Sequence, residues 1–311
     1  MTTRVFVDCD PGIDDAVALA YLSARSDVEI AGVGAVFGNS EVEVTTDNAL
    51  RLLELYGRPE VPVAWGASRP LVQPPRLAPH VHGVNGLGGV ELPAPAGKPC
   101  EESAAELLVR LARETPGELD VLAVGPLTNL ALALALEPRL PDLVRRLVVM
   151  GGAVRDPGNV GPHTEANVAN DPEAAEVVFE AGFTLDLVAL DVTMRTVATA
   201  EWLTELSRVP GERAERTSEF LAFYSDFYTE ILGERQCVMH DPLAAAVLVD
   251  PHLVEGSYRT PIRVELNGTF TRGMTVADLR PRPSKDERHP VRVITDVAKA
   301  DFLGRMLDSL R

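Results

Sequence analysis

The stretch VFVDCDPGIDD, residues 5–15, joins an apolar run directly to four carboxylates. The apolar run at residues 4–7 predicts a buried strand, and the Pro11-Gly12 pair predicts a tight turn after it. Asp14 then stands where a helix is expected to begin. The stretch therefore predicts a strand, a turn and a helix start in close succession.

The four carboxylates of this stretch lie too close together to be stable without a positive partner. Asp8 and Asp10 are two residues apart and share one face of the strand end, whereas Asp14 and Asp15 point about 100° apart on the helix. A hard divalent cation with oxygen ligands is the best candidate for that partner. The alternative is a solvated turn with an aspartate helix cap. A cap needs one aspartate, however, and this stretch has four.

Further apolar runs along the chain predict a parallel sheet. They lie at residues 28–36, 61–65, 119–124, 147–150 and 183–190. Helical periodicity occurs between the runs, and alternating strands and helices are typical of a parallel sheet with helices on both faces. We therefore predict an α/β fold with a mostly parallel, Rossmann-like central sheet, and with the whole chain as a single domain.

The C-terminal part of the chain has a less regular pattern. We expect two or three helices within residues 200–232 and a closing helix at residues 298–310. Asn267-Gly268 lies between short strand-like segments at residues 262–266 and 269–271, which predicts a β-hairpin. The fold prediction thus includes extra helices and a hairpin after the main sheet.

The charge balance excludes some classes of partner. The 311 residues include 29 Lys and Arg against 46 Asp and Glu, a net charge of -17. Such a chain repels a nucleic acid polymer, although an uncharged nucleoside stays acceptable. There is no apolar run of 18 residues and no basic, apolar leader before the first strand, so we expect no membrane contact. Three cysteines without a CxxC pair favour a reduced, cytoplasmic setting.

Polar residues follow the predicted strands at the points where those strands end. Asp10, Asn39, the Gly125-Pro126 turn and the turn at residues 150–152 all stand at such points. Ligands of open α/β sheets bind outside the carboxyl ends of the strands. We therefore expect these residues to converge on one crevice.

Several segments resemble the nucleoside hydrolases, the inosine-uridine preferring N-ribohydrolase family. DCDPGIDDAVAL at residues 8–19 is similar to the N-terminal signature of that family. GNVGPHTEAN at residues 158–167 resembles its sugar-binding segment, and MHDP at residues 239–242 resembles its late metal-binding segment. HGVNGLG at residues 82–88 is similar to the loop beside the family's active site. It lies within the proline- and glycine-rich residues 66–99, whose length favours a functional flap over a plain surface loop.

The resemblance implies a calcium ion and a set of residues around a ribonucleoside. The ion would be bound by Asp10, Asp15, Asp241 and the backbone carbonyl of Val124. The other candidates would contact the substrate, and they are Asp14, Asn39, His82, Met150, Asn159, Glu165, Asn167 and Tyr228.

The resemblance also implies the reaction, which is hydrolysis of the N-glycosidic bond of ribonucleosides. Cleavage passes through an oxocarbenium-like ribosyl cation, which negative charge around the sugar stabilises. Asp10 would contact both ion and water and is expected to accept the proton of the water, while His240 is expected to assist departure of the base. His240 favours an inosine-uridine or pyrimidine preference. The family further suggests nucleoside salvage and a homodimer or homotetramer.

Two other functions are compatible with an acidic N-terminal stretch. A Mg²⁺-dependent phosphatase that forms an aspartyl phosphate would use Asp8 as its nucleophile, although the lysine and the late acidic pair that it needs do not stand in the expected pattern. A non-catalytic, Ca²⁺-dependent nucleoside- or ribose-binding protein would keep the ion. Binding alone does not require the complete set of Asp10, Asp14, Asp15 and Asp241, so hydrolysis is the favoured interpretation.

Overall fold

A computed structural model describes residues 2–283 and 285–311 of the chain. Its strands are β1 (Thr3–Cys9), β2 (Val28–Ala35), β3 (Val63–Ala64), β4 (Leu119–Ala123), β5 (Val144–Met150), β6 (Leu185–Val188), β7 (Val197–Ala198), β8 (Cys237–Val238), β9 (Val254–Thr260), β10 (Arg263–Val264), β11 (Thr275–Val276) and β12 (Val291–Val297).

The main sheet has eight strands in the order β3-β2-β1-β4-β5-β6-β12-β9. Neighbouring strands are parallel except at one edge, where β9 is antiparallel to β12. The short strands pair separately, β7 with β8 and β10 with β11. The predicted α/β fold with a mostly parallel, Rossmann-like sheet is confirmed, and one continuous sheet supports the interpretation of the chain as a single domain.

Helices cover both faces of this sheet. They are α1 (Ile13–Ser23), α2 (Val42–Leu55), α3 (Pro79–His82), α4 (Ala104–Glu114), α5 (Thr128–Leu136), α6 (Leu140–Leu143), α7 (Ala166–Asn170), α8 (Pro172–Glu180), α9 (Leu190–Thr193), α10 (Ala200–Leu206), α11 (Glu212–Leu232), α12 (His240–Val249) and α13 (Lys299–Ser309). Within the described residues, no helix is both long enough and apolar enough to cross a membrane.

The side chains of β1 alternate between two apolar cores. Val5 and Val7 pack in the core that α1, α2, α11 and α12 cover, whereas Phe6 packs in the core that α4, α5 and α8 cover. Successive side chains of a strand point to opposite faces, so Asp8 has the orientation of Phe6. The alternation of the strand therefore buries the Asp8 carboxylate between the sheet and the helices. Asp10 follows directly after the last residue of β1.

The predicted C-terminal hairpin is present, but its second strand and its loop differ from the prediction. β10 pairs with β11, and residues 269–271 form no strand. The intervening loop is organised by Glu265, whose carboxylate accepts hydrogen bonds from the amides of Asn267 (2.7 Å) and Gly268 (3.0 Å). The prediction of a two-residue turn was wrong because this side chain stabilises a longer loop.

The sequence patterns did not predict β9 and β12. Residues 254–260, VEGSYRT, alternate between exposed and half-buried positions, as suits an edge strand with one face toward solvent. Two predicted strands were too long, because residues 61–65 contain only the two-residue β3 and residues 183–190 contain only β6. Leu190 instead begins α9, which carries polar residues toward the site described next.

Candidate active site

A cavity of about 660 Å³ lies at the carboxyl ends of the central strands. It is lined by residues at or just after the carboxyl ends of β1, β2, β4 and β5, by the segment before α7, and by the helices α1, α3, α7, α11 and α12. The predicted site residues that line it are Asp10, Asp14, Asn39, His82, Val124, Met150, Asn159, Glu165, Asn167, Tyr228, His240 and Asp241. The expected convergence of strand ends is thus present in the structure.

Asp15 organises the turn between β1 and α1 from behind the cavity. Its fully buried carboxylate accepts hydrogen bonds from the backbone amides of Gly12 (2.9 Å) and Asp10 (3.2 Å) and from the side-chain amide of Asn39 (3.1 Å). Burial raises the pKa of Asp15 to about 6, although the hydrogen bonds from the backbone amides of Gly12 and Asp10 lower it. The Asp15 carboxylate therefore stabilises this short turn, whereas the sequence analysis predicted only that it would bind an ion.

Asp10 occupies a narrow slot between two glycines. Its Oδ2 accepts a hydrogen bond from the backbone amide of Asn39 at 2.7 Å, while its Oδ1 is buried without a hydrogen-bond partner among the described residues. A Cβ atom at Gly38 would lie 2.0 Å from Oδ2, and one at Gly125 would lie 2.8 Å from Oδ1. The slot fixes the carboxylate in place and leaves one oxygen available for a ligand.

Asp14 faces the cavity from the first turn of α1. Its Oδ2 accepts a hydrogen bond from the Tyr224 hydroxyl at 3.2 Å, and its buried Oδ1 has no such partner among the described residues. Burial, with the Asp15 carboxylate nearby, raises the pKa of Asp14 to about 8. One oxygen of Asp14 is therefore also available for a ligand.

Asp14, Asp15 and Asp241 form a compact acidic group. One ligand oxygen from each lies within 4.8 Å of the others, and all three side chains are buried. Burial raises the pKa of each carboxyl, and for Asp241 and Asp14 the neighbouring carboxylates raise it further. Asp10 lies outside this group of three, whereas the predicted ion-binding set contained Asp10 and Val124 and left Asp14 out. Buried, mutually repelling carboxylates with available oxygens fit a divalent cation.

Glu165 and Asn167 stabilise the loops that end β4 and β5. Glu165 caps α7, and its carboxylate accepts from the amides of Asn167 (2.8 Å), Gly152 (2.8 Å) and Val168 (3.1 Å). The amide nitrogen of Asn167 donates to the Val124 carbonyl at 2.8 Å and also contacts the Met150 carbonyl at 3.2 Å. A carbonyl oxygen has two lone pairs, so Val124 keeps one for another ligand.

Asn159 lies at the rim of the cavity in the segment before α7. Its side-chain oxygen accepts a hydrogen bond from the Ala166 amide at 3.0 Å. Within the described part of the chain, Nδ2 of Asn159 and Oδ1 of Asn167 make no hydrogen bond. A donor and an acceptor therefore remain, which suits the predicted contact of both residues with sugar hydroxyls.

His240 lines the cavity and lies between two hydroxyl groups. Its Nε2 is 2.7 Å from the Tyr228 hydroxyl, and its Nδ1 is 2.8 Å from the Thr193 hydroxyl. Burial lowers the pKa of His240 to about 4, so the ring is neutral at pH 7. A neutral ring that is held at both nitrogens acts through hydrogen bonds more readily than as a charged acid.

His82 connects the loop at residues 66–99 to the start of α1. Its Nδ1 accepts a hydrogen bond from the backbone amide of Ile13 at 3.1 Å, and burial lowers the pKa of the ring to about 3. The ring is packed near Tyr224, with 5.6 Å between ring centroids. Gly86, in the same loop, has φ +77 and lies against Asn48. The loop thus contributes a neutral histidine to the cavity.

Sequence reasoning did not identify Tyr224 or Thr193 as site residues. Tyr224 is one helical turn before Tyr228 on α11, and the two rings are in edge contact at 4.9 Å. That spacing could have indicated a shared face. Asp8, predicted to support Asp10, lies behind the cavity, where its Oδ1 accepts from the Asn129 side chain at 2.7 Å.

Comparisons with known proteins agree with this geometry. The family model described as inosine-uridine preferring nucleoside hydrolase matches residues 5–304. The chain is 41% identical to a probable uridine nucleosidase 1 of Oryza sativa subsp. japonica over 88% of this chain and 85% of that protein. It is 37% identical to the inosine-uridine preferring nucleoside hydrolase of Leishmania major over 100% of this chain and 98% of that protein.

Solved structures show the same fold. A plant nucleoside hydrolase, PpNRh1, superposes with a TM-score of 0.95 at 30% identity, covering 100% of this chain and 99% of the other. A purine-preferring ribonucleoside hydrolase from Gardnerella vaginalis superposes with a TM-score of 0.93 at 31% identity, covering 99% of this chain and 98% of the other. These structures share the whole architecture with this chain.

The fold and the cavity define an enzyme that hydrolyses the N-glycosidic bond of ribonucleosides. The chain belongs to the inosine-uridine preferring nucleoside hydrolase family. This family is generally metal-dependent, which the acidic group of Asp14, Asp15 and Asp241 fits. The phosphatase alternative is wrong, because Asp8 is fully buried and does not line the cavity. The non-catalytic alternative is wrong because the members of this family are hydrolases.

Proposed function

We propose that this enzyme prefers inosine and uridine, or pyrimidine ribonucleosides, and that it uses Ca²⁺. The observation that carries the proposal is that buried carboxylates and the Tyr228–His240 pair face one cavity of nucleoside size. The names of the uridine- and inosine-directed relatives support this base preference. Cytoplasmic nucleoside salvage by a homodimer or homotetramer is part of the same proposal.

Ca²⁺ fits the acidic group better than Mg²⁺ does. The candidate ligands are Asp10, Asp15, Asp241 and the carbonyl of Val124, with Asp14 close enough to join them. Ca²⁺ accepts six to eight oxygen ligands in flexible geometry, whereas Mg²⁺ requires a near-ideal octahedron. When bound, the ion would lower the pKa of a coordinated water and neutralise part of the charge of the cluster.

Asp10 is the residue best placed to accept a proton from the attacking water. Asp10 lines the cavity, its buried Oδ1 has no hydrogen-bond partner among the described residues, and its Oδ2 accepts a hydrogen bond from the Asn39 amide. A general base needs one fixed carboxylate oxygen within reach of the water. The slot between Gly38 and Gly125 supplies that fixed position.

The remaining polar residues would hold the ribose and stabilise the cation that forms on it. Carboxylates at Asp14 and Glu165 and amides at Asn39, Asn159 and Asn167 surround the cavity, and Met150 contributes an apolar surface. Because positive charge develops on the ribosyl ring, fixed negative charge there lowers the barrier. His240, Tyr228 and His82, which also line the cavity, would contact the base.

The base preference is tested by measuring ribose release from inosine, uridine, cytidine, adenosine and guanosine. We expect kcat/KM for inosine, uridine or cytidine to exceed that for adenosine and guanosine by about 10-fold or more, which corresponds to about 1.4 kcal/mol of transition-state binding. Hydrolysis that favours adenosine or guanosine, or release of no ribose from any of the five, would contradict the proposal.

The role of His240 is tested by the substitution His240→Ala with two kinds of substrate. Inosine and uridine need hydrogen bonds or a proton on the departing base, whereas p-nitrophenolate leaves without them. We therefore expect kcat for the nucleosides to fall by about 10²-fold, and kcat for p-nitrophenyl riboside to change by less than about 5-fold. Equal losses on both substrates would refute the leaving-group role.

A further inference from the structure

Asn48 joins two segments that border the cavity, although it lies outside the cavity itself. The residue is part of α2, and its side chain is almost completely buried. Its Nδ2 donates one hydrogen bond to the Pro11 carbonyl at 3.1 Å and another to the Asn85 carbonyl at 2.9 Å. Pro11 belongs to the turn between β1 and α1, and Asn85 belongs to residues 82–90, called here the histidine loop because His82 begins it. One side chain therefore connects that turn to the histidine loop.

The two hydrogen bonds need the amide group of Asn48. An amide nitrogen carries two hydrogens and no charge, and here each hydrogen has one carbonyl oxygen as its partner. Among the described residues, neither the Pro11 carbonyl nor the Asn85 carbonyl accepts any other hydrogen bond. A carbonyl that is buried without a donor is unfavourable. Loss of the amide would therefore favour separation of the two segments, because water could then reach both oxygens.

The histidine loop is bonded within itself, so it is expected to move as one unit. The Gly88 amide donates to the His82 carbonyl at 2.8 Å, and the side-chain oxygen of Asn85 accepts from the Gly89 amide at 2.9 Å. The His82 ring in turn accepts a hydrogen bond from the Ile13 amide at 3.1 Å. Displacement of Asn85 would therefore also displace His82 from the start of α1.

Gly86 allows the histidine loop to approach Asn48 closely. It has φ +77, and a Cβ atom there would lie 2.8 Å from Nδ2 of Asn48 and 3.2 Å from the Pro11 carbonyl oxygen. Gly89, in the same loop, has φ +79, but a Cβ atom there would meet no atom within 4 Å. Both glycines adopt a backbone conformation that other residues rarely adopt. They differ in that Gly86 lies against the Asn48 amide and Gly89 does not.

We propose that Asn48 is a positioning residue for substrate binding, which holds the histidine loop against the Pro11 turn and thereby keeps His82 in the cavity. The inference rests on the proposed contact between His82 and the base. Asn48 does not line the cavity, so it acts through other residues. Asp10 has its own hydrogen bond from the Asn39 amide, which does not involve Asn48. Loss of Asn48 is therefore expected to weaken nucleoside binding more than turnover.

Steady-state kinetics test this expectation with Asn48→Leu, which keeps a similar volume and removes both donors. For the nucleoside that the enzyme hydrolyses fastest, KM is expected to rise by about 10-fold while kcat stays within about 3-fold. Thr46→Val is the matched control, because Thr46 is also buried on α2 but its hydroxyl donates to the Val42 carbonyl of the same helix, at 2.6 Å. Its KM is expected to stay within about 2-fold of wild type. An unchanged KM in Asn48→Leu, or a loss confined to kcat, would overturn the proposal.

The two glycines provide a second test, which does not require Asn48 itself to be replaced. Gly86→Ala places a methyl group against the Asn48 amide and is expected to raise KM by about 10-fold. Gly89→Ala introduces the same backbone strain without that contact, so its KM is expected to stay within about 3-fold of wild type. Equal KM values in the two variants would show that the Asn48 contact does not position the loop.

Hydrogen exchange measures the attachment of the loop independently of activity. With metal present, the amides of residues 83–90 are expected to exchange about 10-fold faster in Asn48→Leu than in wild type, while those of β4 and β5 keep their rates. Unchanged exchange in the loop, or equal acceleration along the whole chain, would contradict a local positioning role. This result also separates the proposal from the proposed function. If His82→Ala leaves KM unchanged, the base contact of His82 fails, and the exchange rates still decide whether Asn48 holds the loop.

A double-mutant cycle then tests whether Asn48 acts through His82. Two residues that serve the same contact have effects that do not add. In the His82→Ala background, Asn48→Leu is therefore expected to raise KM by less than about 2-fold. A further increase as large as the one that Asn48→Leu causes in the wild-type enzyme would overturn the link between Asn48 and His82.

Discussion

Replacement of Asp10 by asparagine is expected to lower kcat by about 10³-fold at saturating Ca²⁺ while leaving the Kd for a nucleoside within about 10-fold. The asparagine side chain has the same shape, so it fits the slot between Gly38 and Gly125, and its oxygen can still accept from the Asn39 amide. It cannot take a proton from water at neutral pH. Loss of kcat with retained binding is therefore the signature of a missing base, and steady-state kinetics with calorimetric titration measure both quantities.

The matched control is Asp8→Asn, two residues earlier on the same strand. Asp8 is as deeply buried as Asp10, but it contacts Asn129 and does not line the cavity. Burial raises the pKa of Asp8 to about 7, so an uncharged group is already tolerated there. The kcat of the Asp8→Asn variant is expected to stay within about 10-fold of wild type. Near-normal turnover of Asp10→Asn, or equal losses of kcat in Asp10→Asn and Asp8→Asn, would show that Asp10 is not the general base.

The central strands could be predicted from the sequence because a parallel strand is buried on both faces. The runs that became β1, β2, β4 and β5 are mainly apolar, with charged exceptions such as Glu29 and Asp120, and such runs between helical segments indicate buried strands. β9 has no such run, since an edge strand needs only one apolar face. Its pairing with β12 depends on residues about forty positions apart, which a local pattern does not contain.

The site residues likewise include some that the sequence predicts and others that only the folded chain shows. The sequence identified the carboxylates of β1 and α1, because four acidic residues within eight positions repel one another unless a cation lies among them. Tyr224 and Thr193 were missed because their partners, Asp14 and His240, lie 210 and 47 residues away. Glu165 was predicted as a sugar ligand, and its bonds to backbone amides became visible only when the chain was folded.

The cavity contains two kinds of buried titratable group. Its carboxylates have raised pKa values, and a cation or a developing positive charge stabilises their ionised forms. Its two histidines, His240 and His82, are neutral because burial lowers the pKa of each, so they can serve as hydrogen-bond partners of an uncharged base. The two kinds of group lie close together, since Nδ1 of His82 is 3.9 Å from Oδ1 of Asp14.

Removal of bound metal is expected to lower activity by about 10³-fold or more, and added Ca²⁺ is expected to restore it more completely than Mg²⁺ does. Without a cation, the carboxyls of Asp14, Asp15 and Asp241 retain protons to higher pH, since their pKa values are raised, to about 8 for Asp14 and about 6 for Asp15. Such carboxyls supply neither ligands nor full negative charge beside the ribose. Ribose release measured after exhaustive chelation, and again after titration with each metal, tests this expectation.

The same pKa shifts fix the sign of the pH dependence of metal binding. Protons and Ca²⁺ compete for the carboxylates, so the apparent affinity for Ca²⁺ is expected to rise as the pH increases from about 6 to about 8. Asp241→Asn removes one charge from the group and is expected to weaken Ca²⁺ binding by about 100-fold, whereas Asp156→Asn, at the rim of the same cavity, should leave it unchanged. Full activity of thoroughly metal-free enzyme, or Ca²⁺ affinity that falls over this pH range, would show that the acidic group does not hold a catalytic ion.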